Sequence, residues 1–374
     1  MDTKSFSSTI AKFSVKFCNE LNGDKDVVSS PLSAEYLLAL IALGSTDTAH
    51  EELLTSLDFP DDNTIRTLFT AASAKLKTIK GINLSLANKI YVKSCDYELN
   101  SQLKKDAVDV FDAELEKVDF GDSAAAAKLI NGWVESKTNE RIKNLVSNSS
   151  LNSDTQVVLI NALYFKGSWK NQFNPKSTVE HPFYINNETS VKIPMMYQED
   201  KFKYDNNTEL NAQILEMAYE GNEASMVIVL PNEIDGLDQV LRKLADGFDL
   251  IAVWEKLIST KLQVIIPKFK TETEIDLTHV FSKLGINAIF RRENSGVSKI
   301  LDNNESLYIS KAIQKAFIEV NEEGAEAAAA THMVLRKRRA HYPAPIVRAD
   351  RPFLYFLIGP DHTMLFVGLY QGRT

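Results

Sequence analysis

Cysteine is almost missing from this 374-residue chain: Cys18 and Cys95 are the only two, which excludes a disulfide framework and any CxxC-type metal site. The six histidines, at positions 50, 181, 279, 332, 341 and 362, fall in no HExxH, nucleophile-elbow or other catalytic pattern, and no glycine-rich phosphate loop is present. Enzyme chemistry is therefore not expected. No apolar stretch reaches membrane-spanning length; the longest, Phe353 to Tyr370, is interrupted by Gly359-Pro360-Asp361-His362 and reads as a strand hairpin. A net charge of -8 argues against a nucleic-acid partner. The 15 glycines and 11 prolines nowhere gather into a dividing linker, so one domain over residues 1–374 is expected. The opening Met1-Asp2-Thr3-Lys4 lacks the apolar run of a secretory signal, which leaves an intracellular chain or a mature form with an added Met.

What is there is a globular composition, 44% hydrophobic and 25% charged. Apolar residues at helical spacing predict helices over Ser5–Leu21, Ser33–Leu43, Thr46–Leu57, Asn63–Thr78, Asn100–Asp112, Ala124–Leu145 and Ile275–Leu284. Strands are expected at Leu84–Val92, Thr155–Trp169, Val191–Gln198, Ala224–Asn232, Leu262–Phe269, Leu307–Val320 and in the Pro352–Tyr370 hairpin. Helices interleaved with strands without a strict βαβ repeat indicate an α+β fold.

One stretch fits neither strand nor core. It runs VNEEGAEAAAATHMVLRKRRAHYPAPIVRAD from Val320 to Asp350. Gly324 follows Glu322 and Glu323 and can turn the backbone at low steric cost, so it is a hinge candidate. Beyond it, alternate residues Ala325, Ala327, Ala329, Thr331, Met333 and Leu335 are small and then apolar, the pattern of a strand with one face fit for burial. The stretch then reaches Arg336-Lys337-Arg338-Arg339, a run of cations that no sheet interior accepts unpaired. Pro343 and Pro345 follow and favour an extended, non-helical path. A strand-competent stem, a hinge and a basic tip ahead of prolines describe protease bait.

Glu322-Glu323-Gly324-Ala325-Glu326-Ala327-Ala328-Ala329-Ala330 resembles the hinge of inhibitory serpins. Val347-Arg348-Ala349-Asp350-Arg351-Pro352-Phe353-Leu354 resembles the signature that follows their reactive loop. The likeness extends to Val27–Ser33, to Asn131–Thr138 and to Thr155–Trp169. It implies the serpin fold: a large central mixed sheet, further smaller sheets, about eight to nine helices, and an exposed reactive loop over 322–346. It also places Ser30, Ser33, Asn161, Trp169 and Gln314 at the shutter and breach of the central sheet, where the loop is received. Three residues depart from the family pattern. Asp26 stands for the usual Asn, Gln314 for the shutter His and Arg351 for the His of the signature. The Gln314 change puts a pH-sensitive shutter in doubt, although Gln still donates and accepts.

The function this resemblance implies is suicide inhibition of a trypsin-like serine protease. Family spacing from Gly324 puts the scissile bond between Arg338 and Arg339, with Arg339-Ala340 as the alternative. Arg336, Lys337, Arg338 and Arg339 would recognise the target. The tetrabasic run also suits a proprotein convertase cutting after Arg339, and a non-inhibitory carrier is the alternative of another class. No cofactor is required. Lys75, Lys77 and Lys80 are the candidates for a sulfated-polysaccharide activator, although lysines there also complement the helix dipole. A monomer is expected, extracellular because the family is largely secreted. Sequons at Asn83, Asn148, Asn187, Asn206 and Asn304 allow glycosylation on export. The overall look is similar to arthropod serpins that restrain immune protease cascades.

Overall fold

A computed structural model describes residues 9, 10, 12–14, 16, 17, 20, 25–323 and 344–373. The strands are β1 (Val27–Ser29), β2 (Ile82–Lys93), β3 (Ala113–Val118), β4 (Val157–Gly167), β5 (Val179–Tyr184), β6 (Ser190–Asn207) and β7 (Ala212–Ala218). They continue with β8 (Ser225–Pro231), β9 (Ile258–Pro267), β10 (Phe269–Asp276), β11 (Ile309–Val320), β12 (Ile346–Arg348), β13 (Phe353–Ile358) and β14 (Met364–Tyr370). The bounded helices are α1 (Pro31–Leu43), α2 (Asp47–Leu57), α3 (Asp62–Leu76), α4 (Ser101–Phe111) and α5 (Ser123–Lys137). Three more follow: α6 (Leu237–Ala245), α7 (Leu250–Trp254) and α8 (Leu277–Lys283). Residues 9, 10, 12–14, 16 and 17 are helical as well, within the opening helix expected from the periodicity.

Two sheets carry the fold among the described residues. The central one has the order β10-β11-β4-β2-β3 and is mixed: β11 runs parallel to β4, and β2 parallel to β3. The other has nine strands on the path β1-β14-β13-β8-β7-β6-β9-β12, with β5 added beside β6. The 18-residue β6 joins its parts, pairing with β5 over Ser190–Met195, with β9 over Met195–Tyr204 and with β7 over Lys203–Asn207.

β4 is apolar almost throughout because it is covered on both faces. Val157, Leu159, Leu163 and Phe165 belong to the main core with α1, whereas Val158, Ile160, Ala162 and Tyr164 pack with Ala126, Ala127, Ile130 and Val134 of α5. The strand period of two divides these sets. All thirteen residues of α1 are buried. Pro31 opens it, and the Ser30 hydroxyl caps it by accepting from Ser33 N at 3.2 Å. Glu35, in the middle of α1, is wholly buried with no partner for either oxygen among the described residues, and burial pushes its carboxyl well above the ordinary value.

Several boundaries differ from the periodicity: β6 runs to Asn207 and not to Gln198, β9 begins at Ile258 and not at Leu262, and two helix ends differ for reasons their contacts show. The helix expected to reach Leu145 stops at Lys137, with Asn139, Glu140 and Asn144 at positive φ. Ile142, Leu145 and Val146 still enter the core below α5, and Asn131 clips the returning chain by accepting from Val146 N at 2.9 Å and donating to Val146 O at 2.8 Å. The helix expected from Ile275 begins at Leu277, because β10 stays paired with β11 through Asp276, which then caps α8 by accepting from Thr278 N.

Candidate functional site between β4 and β11

The parallel pair β4·β11 holds the expected site residues at two levels. In mid-strand, Gln314 on β11, Asn161 on β4 and Asn88 on β2 occupy one cross-strand row. All three belong to the α1 face and are buried. Gln314 Nε2 donates to Asn161 Oδ1 at 2.6 Å and to Ser30 O at 3.0 Å, while its Oε1 accepts from Ser30 N at 3.1 Å and from the Ser29 hydroxyl. Asn161 Nδ2 donates to Ser33 Oγ at 2.6 Å and to Asn88 Oδ1. The Ser30 hydroxyl donates to Leu365 O in β14. The start of α1 is thus tied to three strands of the central sheet and to the second sheet.

This arrangement brings Ser30, Ser33, Asn161 and Gln314 into one hydrogen-bonded cluster, which Asn88 and Ser29 join. Those two were missed because a lone Asn in an apolar strand carries no signal until its register is known. Gln314 uses both amide hydrogens and both acceptor positions, four bonds where an imidazole offers two nitrogens. No titratable side chain takes part in these contacts.

At the C-terminal ends of the same two strands lies the second level. Trp169 stacks on Tyr219 with ring centroids 4.6 Å apart and 13° between planes, and meets Phe173 edge-on. Gly167 makes room for this stack, since a Cβ there would fall 2.7 Å from the Tyr219 ring. Trp169 Nε1 donates to Asn321 O at 2.8 Å, Trp169 N to Glu323 O at 3.3 Å, and Phe173 N to Glu322 O at 2.9 Å. The Glu322 carboxylate, 7% exposed, accepts from Thr178 Oγ1 and pairs with Lys268 Nζ, both at 2.8 Å. Burial alone would raise its pKa; the Lys268 and Thr178 contacts outweigh that and hold it below the ordinary glutamate range.

The residues after Glu323 that sequence singled out lie outside the described residues: Gly324, Ala325, Ala327, Ala329, Arg336, Lys337, Arg338, Arg339 and Ala340. The chain returns at Ala344 and forms β12 beside β9. Of the two departures nearby, Arg351 donates to Pro231 O at 2.7 Å and to Asp350 Oδ1 at 2.8 Å. Asp26 Oδ1 accepts from Gln371 N at 2.6 Å, while its Oδ2 is buried without a partner among the described residues; burial raises its pKa despite the backbone donors. Of the three lysines at the end of α3, Lys75 is paired with Asp361 and Lys77 with Asp112, and Lys80 is exposed.

On the opposite face of the central sheet, a cation that sequence reasoning passed over fastens α5. Lys89, 4% exposed, pairs with Glu114 at 2.8 Å and Glu116 at 2.6 Å, and its ammonium lies 5.0 Å from the Trp133 ring centre and 5.1 Å from that of Tyr91.

Known proteins resemble this chain in sequence and in fold. The family model described as Serpin (serine protease inhibitor) matches residues 8–371. Antichymotrypsin-2 of Bombyx mori is 42% identical over 94% of this chain and 92% of its own length, and antitrypsin of the same organism is 41% identical over 93% and 88%. The crystal structure of Serpin48, a highly specific serpin of the insect Tenebrio molitor, superposes with a TM-score of 0.89 at 34% identity, covering 99% of both chains. The chain therefore belongs to the serpin family of serine protease inhibitors, not to a family of enzymes.

Proposed function

We propose that this protein is a suicide inhibitor of trypsin-like serine proteases, with Arg338 entering the specificity pocket of the target. The observation that carries the reading is the direct parallel pairing of β11 with β4, with Glu322 and Glu323 held at the end of that pair. A chain that leaves β11 and folds back between the two strands runs antiparallel to both. One parallel contact is then replaced by two antiparallel ones, which are slightly more stable per residue. The stem Ala325–Leu335 has eleven residues, the length of β4, and its inward set is small or apolar.

In the proposed sequence the protease serine attacks the Arg338 carbonyl carbon. The bond to Arg339 breaks, the Arg339 nitrogen leaves as an amine, and Arg338 remains as an ester on the enzyme. Insertion of the freed segment from Ala325 to Arg338, fourteen residues, carries the tethered protease roughly 45 Å along the sheet. A displacement of about 1 Å in the catalytic groups already slows deacylation greatly.

The relatives' names divide between trypsin and chymotrypsin, so the target class rests on this chain's own arginines. The tetrabasic run supports a second reading, a furin-like convertase cut between Arg339 and Ala340. A carrier role has less support, because the hinge holds no Pro or bulky residue. We infer an extracellular setting because the family is largely secreted, and the five exposed sequon asparagines are compatible with it. A sulfated polysaccharide on α3 would have to displace Asp361 from Lys75 and Asp112 from Lys77.

Incubation with trypsin tests the proposal. The expected product is a complex that survives SDS and heat, together with a cleaved chain of much higher melting temperature. Quantitative cleavage without complex, or cleavage without thermal gain, overturns it.

A further inference from the structure

A cavity of about 270 Å³ opens behind Trp169, between the β4 end of the central sheet and β6 and β7 of the second sheet. Its volume is just under the range of about 300–1,000 Å³ typical of ligand pockets, which suits a compact guest. Buried apolar side chains, Trp169, Phe202 and Met217, form part of its wall. Three lysines contribute to the lining. Lys203 is neutralised by Glu216 at 3.1 Å, whereas Lys170 and Lys201 have no carboxylate partner among the described residues. Gln198, on the same wall, has a buried Nε2 with no acceptor there either. Unpaired donors around an apolar wall are complementary to an anion carrying a ring.

We propose that this cavity binds a compact aromatic carboxylate, its ring against Trp169, Phe202 and Met217 and its carboxylate between Lys170 and Lys201. The wall residue Trp169 is the one that grips the hinge, through Nε1 to Asn321 O and N to Glu323 O. A guest packed on its ring holds that grip closed. On the inhibitor reading given above, occupancy therefore delays stem insertion and diverts the cleaved chain from trapped complex to released substrate.

The test titrates the full chain with 2-naphthoate and with neutral 2-naphthylmethanol by calorimetry. Naphthoate is expected to bind one per chain, at least about tenfold tighter than the alcohol. The double variant Lys170→Met, Lys201→Met is expected to lose about tenfold in naphthoate affinity, with an unchanged melting temperature in the absence of ligand. No binding, equal binding of both probes, or full affinity in a folded double variant overturns the site. A second arm measures the ratio of SDS-stable complex to cleaved chain with trypsin, expected to fall with saturating naphthoate. An unchanged ratio overturns the link to the hinge. Failure to form any complex without ligand refutes the inhibitor reading alone, because the titration needs no protease.

Discussion

Gln314 and Asn161 meet across the β11·β4 pair at 2.6 Å, at the level where both strands turn an amide toward the start of α1. A strand inserted between β4 and β11 would have to break this bond, so on the insertion mechanism proposed above the pair acts as a latch as well as a packing contact. Gln314→Leu leaves Asn161 Oδ1 and the backbone of Ser30 without their partners. With about 1–3 kcal/mol for an orphaned buried group, a loss of at least about 2 kcal/mol is expected. Faster spontaneous conversion to an inserted form should accompany it, read by thermal melting and urea-gradient gels. Gln314→His should introduce a pH dependence of melting between about pH 5 and 8 relative to the native chain. Superimposable pH profiles for the two proteins would contradict the latch assignment.

Glu322 makes the hinge contact sensitive to acid. Its pKa is lower folded than unfolded, so the stabilisation is complete above the unfolded value, near pH 4.3, and is lost as pH falls through the folded value. The Trp169 and Phe173 amides, which donate to Glu323 O and Glu322 O, report on this. Their hydrogen-exchange protection, corrected for intrinsic rates, is expected to fall below about pH 4 in the native chain. In Glu322→Gln it should be weaker at neutral pH and flat with acidity. Equal profiles would show that the Lys268 pair does not hold the hinge.

Ala327 belongs to the alternate set that the stem would bury. Ala327→Arg demands an unpaired cation in the sheet and should turn inhibitor into substrate: trypsin still cuts, but little stable complex remains on a denaturing gel. A full yield of complex would exclude insertion past this position.

The elements that were legible in the sequence are those with one strong local signal. α1 carries its cap, its proline and a continuous apolar run, and β4 is a long apolar strand closed by Gly167. β3, with only Ala113, Leu115 and Val118 buried, and the short α7 gave too little periodicity, and their placement depends on partners distant in the chain. β10 alternates Thr271 and Thr273 with glutamates and lysine, so its strand character comes from pairing with β11. The buried amide cluster under α1 was visible only in part. Ser30, Ser33, Asn161 and Gln314 are marked by family likeness, whereas Asn88 and Ser29 join through register. Lys89 drew no expectation from sequence because nothing local foretells Glu114, Glu116 and Trp133 around it.

The two arginine registers are separable by single substitutions. If trypsin acylates Arg338, that side chain alone fills the pocket whose floor is a carboxylate. Arg338→Ala then leaves the floor unpaired, and complex formation should slow by about 10⁴-fold. Arg339→Ala should change the rate far less, because that residue lies beyond the broken bond. Mass spectrometry of the released peptide gives an independent reading: residues 339–374 in the first register and 340–374 in the second, differing by one arginine. Arg339→Ala is decisive for a convertase, which then loses the basic residue before its cut. If instead Arg338→Ala leaves trypsin trapping intact and the peptide begins at Ala340, the stem is one residue longer than proposed. The insertion mechanism would survive and the assignment of Arg338 would not.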